Sequence, residues 1–386
     1  VMPWLAERYP KELSFGERGA RAVLWSGRSG KELDFHIAAM VKDYWQNWTP
    51  GYPDVPENVL ARPSNAQGGA RTHDIWFLPH TGGYEEDVVK KTAMAGSRQV
   101  LVLADPVWLC ETQAMGYPML HKDTEKFPRE EAMISECWQR YMIPYKAFPL
   151  MGFIEWGDFS TWYYDTVDGR IMARFLILTN IDRYGSRREP WRLYARSGER
   201  QYYDYGHRFS RFSGDWYLIH HDVKNNPARK RGYFMSFSAE GGKLPFAWGQ
   251  TGHPYVTNGG DIGCWLMEYY LTGDERSFDL LKMIKESVKK YWDVKQAIAV
   301  NQSKVVRELV TLSRMDWDED IVKMAKQVAD SMFDLESQNG LKMFKDTYGV
   351  MYKDHRSSHN IAEYYLETKD ELAKLAFLKL MDQRYR

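Results

Sequence analysis

A helix-ending motif recurs along the chain, and it restricts the fold more than any other feature. Glu268-Tyr269-Tyr270-Leu271-Thr272-Gly273-Asp274-Glu275 is echoed by Glu363-Tyr364-Tyr365-Leu366-Glu367-Thr368-Lys369-Asp370-Glu371. In each, an apolar, aromatic stretch runs to a Gly or polar break, and an acid stands where a second helix would begin and need its free N–H groups capped. Residues 193–200 and 309–316 are weaker copies. Recurrence at intervals of roughly 40 to 75 residues predicts an array of helical hairpins. Ile321, Met324, Ala325, Val328 and Met332 fall on one helical stripe at i, i+3, i+4, i+7 and i+11. An open HEAT-type solenoid would keep a steadier period near ~40 residues. The irregular spacing and long loops favour a closed (α/α) toroid, with loops at one rim building a site.

The N-terminal part carries strand signals instead. Residues 21–25 and 32–37 alternate around Gly27 and Gly30, and residues 74–78 and 99–103 are short apolar runs. Residues 49–69, rich in Pro, Gly and Asn, read as a long loop. Together these predict an α+β multidomain chain: an N-terminal antiparallel β-sandwich over residues 1–115, a linker with the first helices over 116–150, and an (α/α) toroid over 151–386. Residues 380–386 read as helix without a stop signal, so the toroid is expected to be incomplete at its C-terminus.

Basic and acidic residues number 52 each, which argues against a general nucleic-acid binder, since that needs a basic field. No apolar run reaches the ~20 residues of a membrane span. Three scattered cysteines, Cys110, Cys137 and Cys264, build neither a disulfide framework nor a metal knuckle. No basic-then-apolar leader opens the chain. Nucleophile-elbow, phosphate-loop and dinucleotide motifs are all missing from the sequence. The aromatic fraction of 15% is high, and rings beside polar groups are how proteins grip sugars.

Candidate chemistry gathers in residues 202–255, a long insertion between helices. A helix through residues 202–211 would place Tyr203, His207 and Arg211 on one face, either as a proton-transfer pair with a carboxylate-binding cation or as a packed helix end. Tyr205 and Arg208 lie in the same helix. His220-His221-Asp222 falls in a loop, where one histidine could act as base or acid. The spacing is not that of a helical zinc motif, so neither metal nor cofactor is assigned. Trp248, His253 and Tyr255 in a Gly-rich stretch, with Trp156 and Tyr163 upstream, could line a sugar cleft.

At these segments the chain resembles the exo-acting rhamnogalacturonan lyase-like family. The residues that carry the likeness are the histidine- and aspartate-rich segment from His207 to Asp222, the aromatic loop from Phe246 to His253, and the turn Thr272-Gly273-Asp274-Glu275-Arg276. Arg8-Tyr9-Pro10-Lys11-Glu12-Leu13 and Gly68-Gly69-Ala70-Arg71-Thr72-His73 resemble that family's sandwich. The resemblance implies a secreted enzyme, extracellular or periplasmic, that cleaves an acidic, uronate-containing polysaccharide by β-elimination. His220 or His221 would be the base, Tyr203 or Tyr205 the acid, and Arg208 or Arg211 the cation neutralising the uronate, with His207 and His253 in support. Two alternatives stand beside it. One is a glycoside hydrolase on the same fold, using two carboxyls among Asp158, Asp215, Asp222 and Asp261. The other is a non-catalytic glycan-binding protein.

Overall fold

The computed structural model describes residues 12–16, 19–23, most of 68–147, 164–167, 170–173, most of 188–233, 254, 256, 261–295, 302–339 and 355–385. Near the N-terminus β1 (Glu12–Gly16) and β2 (Gly19–Val23) pair antiparallel, from Glu12 opposite Val23 to Gly16 opposite Gly19. Three helices follow: α1 (Glu86–Ser97), α2 (Pro106–Glu111) and α3 (Pro128–Ala147). A second small hairpin joins β3 (Tyr164–Val167) to β4 (Arg170–Ala173).

This overturns the predicted α+β architecture with its N-terminal β-sandwich. Among the described residues 64% are helical and 4% lie in strands. Residues 74–76 and 99–103 are irregular chain, and α1 and α2 stand within the predicted sandwich. Residues 32–37 lie outside the described residues. The physical reason is plain at residues 99–103. Leu101 and Leu103 pack against the helical core, whereas Val100 and Val102 are 89% and 86% exposed. An alternating pattern needs only an extended segment with one face on an apolar surface. Here helices supply that surface, and the Arg200 guanidinium binds the Gln99 carbonyl at 2.8 Å where a ladder partner would stand.

The rest of the described chain is four helical hairpins: α4 (Glu189–Ser197) with α5 (Arg200–Trp216), α6 (Gly263–Thr272) with α7 (Glu275–Tyr291), α8 (Gln302–Ser313) with α9 (Glu319–Asn339), and α10 (His355–Thr368) with α11 (Glu371–Tyr385). Each turn falls on a copy of the repeated motif. Gly198 and Gly273 end their helices in the left-handed region at φ 72° and 71°, where a side chain is disfavoured. Lys369 takes the same conformation at φ 57° without that freedom. Acids cap three of the four second helices, while Glu199 before α5 makes no side-chain cap. Asp274 accepts from Ser277 N at 2.8 Å, Asp370 from Leu372 N at 2.9 Å, and Asp318 from Asp320 N at 3.0 Å.

The first helices of the hairpins, α4, α6, α8 and α10, lie side by side and parallel. The Tyr270 hydroxyl reaches the Arg314 carbonyl at 2.8 Å, and Asn360 reaches Ser303 at 3.1 Å. Residues 303–313 of α8 are buried throughout, whereas α7, α9 and α11 keep exposed faces and form the outer layer; α5 is mostly buried. The predicted stripe on α9 is the buried one: Ile321, Ala325, Val328 and Met332 enter the core with Trp191, Phe209, Trp265 and Leu280.

Where α4 and α6 begin, a buried ion network ties the first helices together. Arg188 bonds Asp261 through Nε at 3.0 Å and Nη2 at 2.7 Å, Glu308 at 3.1 Å and Glu363 at 3.3 Å. Arg192 adds a second contact to Glu363 at 3.1 Å, and Arg307 a second to Glu308 at 2.8 Å. Gly263 is the opening through which Arg188 passes, since a Cβ there would lie 2.4 Å from its Cζ.

Candidate functional site

The sequence places Tyr203, His207 and Arg211 at i, i+4 and i+8, and α5 brings all three to one polar cluster against α6 and the start of α7. Nδ1 of His207 lies 2.6 Å from Oε1 of Glu268 on α6. The other Glu268 oxygen accepts from the Ser277 hydroxyl at 2.5 Å. Ser277 is also the residue whose N–H is capped by Asp274, so the helix cap and the carboxylate share one anchor. Arg211 donates to Asp274 at 2.7 Å and lies 3.6 Å from Asp74. The Tyr203 ring stacks parallel on the His207 imidazole, with centroids 5.6 Å apart.

Burial sets the electrostatics of this group. Glu268 is fully buried, which raises its pKa against the lowering pull of His207. The His207 side chain is 14% exposed, and its Nε2 makes no hydrogen bond among the described residues. Burial also lifts the Tyr203 phenol well above its ordinary value, so it stays protonated.

Donor atoms of His207, Glu268 and Asp274 lie within 4.8 Å of one another, close enough to consider a metal. Both Glu268 oxygens and both Asp274 oxygens, however, are already engaged by His207, Ser277 and Arg211. Arg211 supplies the cluster's cation, which suits acid–base chemistry better than a divalent ion.

A second group continues the cluster along α5. Asp215, buried, accepts from Thr72 N at 2.7 Å and Thr72 Oγ1 at 2.5 Å, and its carbonyl accepts from Ala70 N at 3.2 Å, so Ala70 and Thr72 lie across the end of the helix. His220 sits beside it with both nitrogens committed. Nε2–H donates to the Gly214 carbonyl at 2.7 Å, and Nδ1 faces Arg276 at 3.4 Å. Burial, with the Arg276 charge, lowers its pKa and keeps the ring neutral.

The other sequence candidates are dispersed. Tyr205 faces the opposite side of α5, edge-on to Trp138 at 5.5 Å and against Phe209, as part of the core. His221 and Asp222 are exposed, and Asp222 accepts from Arg231 N at 2.8 Å. Asp261 belongs to the Arg188 network. Arg208 is half-buried, and desolvation pushes its guanidinium down to about 10. Trp156, Asp158, Tyr163, Trp248, His253 and Tyr255 lie outside the described residues.

Sequence reasoning missed Glu268, Asp274 and Ser277 as site members, although all three stand in or next to the repeated motif. The available signal was a lone acid in the otherwise apolar run of α6. An acid buried in such a helix needs a partner, and the imidazole across the interface is that partner. No model of a known protein family matches the chain, and no curated protein matches it.

Proposed function

We propose that the chain is a polysaccharide lyase that cleaves an acidic, uronate-containing glycan by β-elimination, with His207 as the base. The observation that carries this reading is the His207–Glu268 pair: an imidazole oriented through Nδ1 by a buried carboxylate, with Nε2 making no hydrogen bond among the described residues. That is the geometry a general base needs, because the carboxylate fixes the tautomer and stabilises the imidazolium that forms. Nε2 takes the C5 proton of the uronate, the C4–C5 double bond forms, and the C4–O glycosidic bond breaks. The imidazolium then returns a proton to the leaving oxygen. Tyr203 and Tyr205 are 6% and 3% exposed, so the phenols are assigned to packing, Tyr203 behind the imidazole.

Arg211 is held by Asp274 and Asp74. The uronate carboxylate is assigned to Arg208, which follows His207 on α5. Hydrolysis would need two carboxyls facing across a cleft. Asp215 and Asp261 are buried in their own hydrogen bonds and Asp222 is bonded to backbone, which favours elimination over hydrolysis.

The test is incubation with pectic, glucuronan-type and marine polyuronides while following ultraviolet absorbance of the unsaturated product. Product formation that is lost in His207→Ala supports the reading. Silence across the panel, or full activity in His207→Ala, refutes it.

A further inference from the structure

The last described helix, α11, carries apolar residues on both of its long faces. Ala373 and Ala376 are buried against the hairpin array, with Phe377 and Leu380 packed beside them. On the other face Leu372, Leu375 and Leu378 are 55%, 53% and 53% exposed and stand at i, i+3 and i+6. Three leucines in a row on the outside of an outer-layer helix form a patch that water does not favour. The charges that frame this row decide what fits it. Glu371 stands at its N-terminal end, and Lys379 and Asp382 at its C-terminal end, all exposed. Lys369, also exposed, sits in the turn just before the helix.

We propose that two copies of this chain associate through α11, packed antiparallel about a twofold axis at Leu375. In that register Leu375 meets its own counterpart and Leu372 of each copy meets Leu378 of the other. The same register sets Glu371 of each copy opposite Lys379 of the other, and Lys369 beside Asp382. The helix is thus self-complementary in both apolar row and charge, which is the condition for an isologous contact. A parallel pairing would set Glu371 against Glu371 and Lys379 against Lys379, and like charges directly opposed disfavour it. Glu371 already contacts Lys374 on its own helix at 3.1 Å, and Lys379 and Asp382 also have partners within their own chain; all are exposed enough to exchange for the intermolecular pairs. A patch of three half-exposed leucines is small beside the ~1,200 Å² that a tight complex buries. The association is therefore weak and concentration-dependent.

Sedimentation velocity of the 386-residue chain from low to high micromolar concentration tests the proposal. The wild type is expected to shift from monomer toward dimer across the series. Leu375→Glu places two carboxylates together on the axis and should hold the chain monomeric at every concentration. Its circular dichroism melt should match the wild type, because the position is exposed. Glu371→Lys and Lys379→Glu should each raise Kd by roughly tenfold, and the double reversal should restore it. A wild type that stays monomeric, a Leu375→Glu variant that still dimerises, or a double reversal that fails to restore association would overturn the proposal.

Discussion

Replacing Arg188 by methionine should cost about 3–5 kcal/mol, because it strips the only cation bonded to Asp261 among the described residues and leaves that carboxylate buried. Asp261 is 0% exposed, and its Oδ1 would keep a single donor, Gly263 N at 3.0 Å. Its Oδ2 has no hydrogen-bond partner among the described residues. Glu308 and Glu363 suffer less, since Arg307 and Arg192 still reach them. On a helical unit of this size the loss corresponds to a fall in Tm of roughly 6 to 20 °C, read by circular dichroism. The pH dependence carries a definite sign. Burial would raise Asp261 and Glu363, but the Arg188 charge wins at both, with further help from His359 and Arg192 at Glu363, and holds their pKa values below the ordinary carboxylate range. Their contribution is complete above that range and is lost as pH falls through it toward the folded values. Glu308 is raised by burial and works in the opposite sense, but it is one group against two. The gap between wild type and Arg188→Met should therefore hold from pH 7 to about pH 5 and narrow below it. Adding Asp261→Asn to Arg188→Met should recover most of the loss, since removing both charges of a buried pair costs little. An Arg188→Met variant within about 1 kcal/mol of wild type, or no recovery with Asp261→Asn, would refute the argument.

Three further outcomes follow from particular contacts. Gly232→Ala should destabilise by about 1–3 kcal/mol in urea unfolding, since φ is +81° and a Cβ would lie 2.5 Å from Ser287 Cβ and 2.8 Å from the Met283 carbonyl. Gly82→Ala, at φ +86° with nothing within 4 Å of its Cβ, should cost less and serves as the control. His220, with a folded pKa below its ordinary value, stabilises the fold above about pH 6.5 and loses that contribution as pH falls, because the unfolded chain protonates first. His220→Gln should flatten the urea midpoint against pH in that window. Glu268→Gln should leave the melt near wild type or raise it, because a buried charge is removed, while turnover of the uronate substrate falls by ~10²-fold or more. Equal turnover in Glu268→Gln would count against the carboxylate as the orienting group.

The hairpin array was legible because its signals are local. A Gly or polar break followed by an acid specifies a turn and a cap within a few residues, and the structure has a hairpin at each of the four copies. The sandwich failed because alternation reports only that one face of an extended segment is apolar. It does not say whether a strand or a row of helices covers that face, and Leu101 and Leu103 rest on helices. For the site, helical spacing was enough to align Tyr203, His207 and Arg211. Their partners Glu268, Asp274 and Ser277 come from a different hairpin, 61 residues on in the case of the His207–Glu268 bond. No local pattern encodes that pairing. For His220 the sequence left an acid or base role open, because the Gly214 carbonyl and Arg276 that occupy it are likewise contributed by the fold.

Two buried glutamates show why the chemistry is assigned to one polar cluster and not the other. Glu308 and Glu268 are both 0% exposed, and burial raises both. Glu308 answers that cost with the guanidinium groups of Arg188 and Arg307, whose protons do not leave at any working pH. Such a network holds helices in place but moves no proton. Glu268 answers it with His207, the one side-chain type whose ordinary titration lies near neutrality, and with a neutral serine hydroxyl. The second imidazole nitrogen makes no hydrogen bond among the described residues, so a proton taken there places a positive charge beside a carboxylate that needs one. The two clusters thus differ in whether the counter-charge of the buried glutamate is a fixed guanidinium or an imidazole that can gain and lose a proton, and the proposed base is drawn from the second.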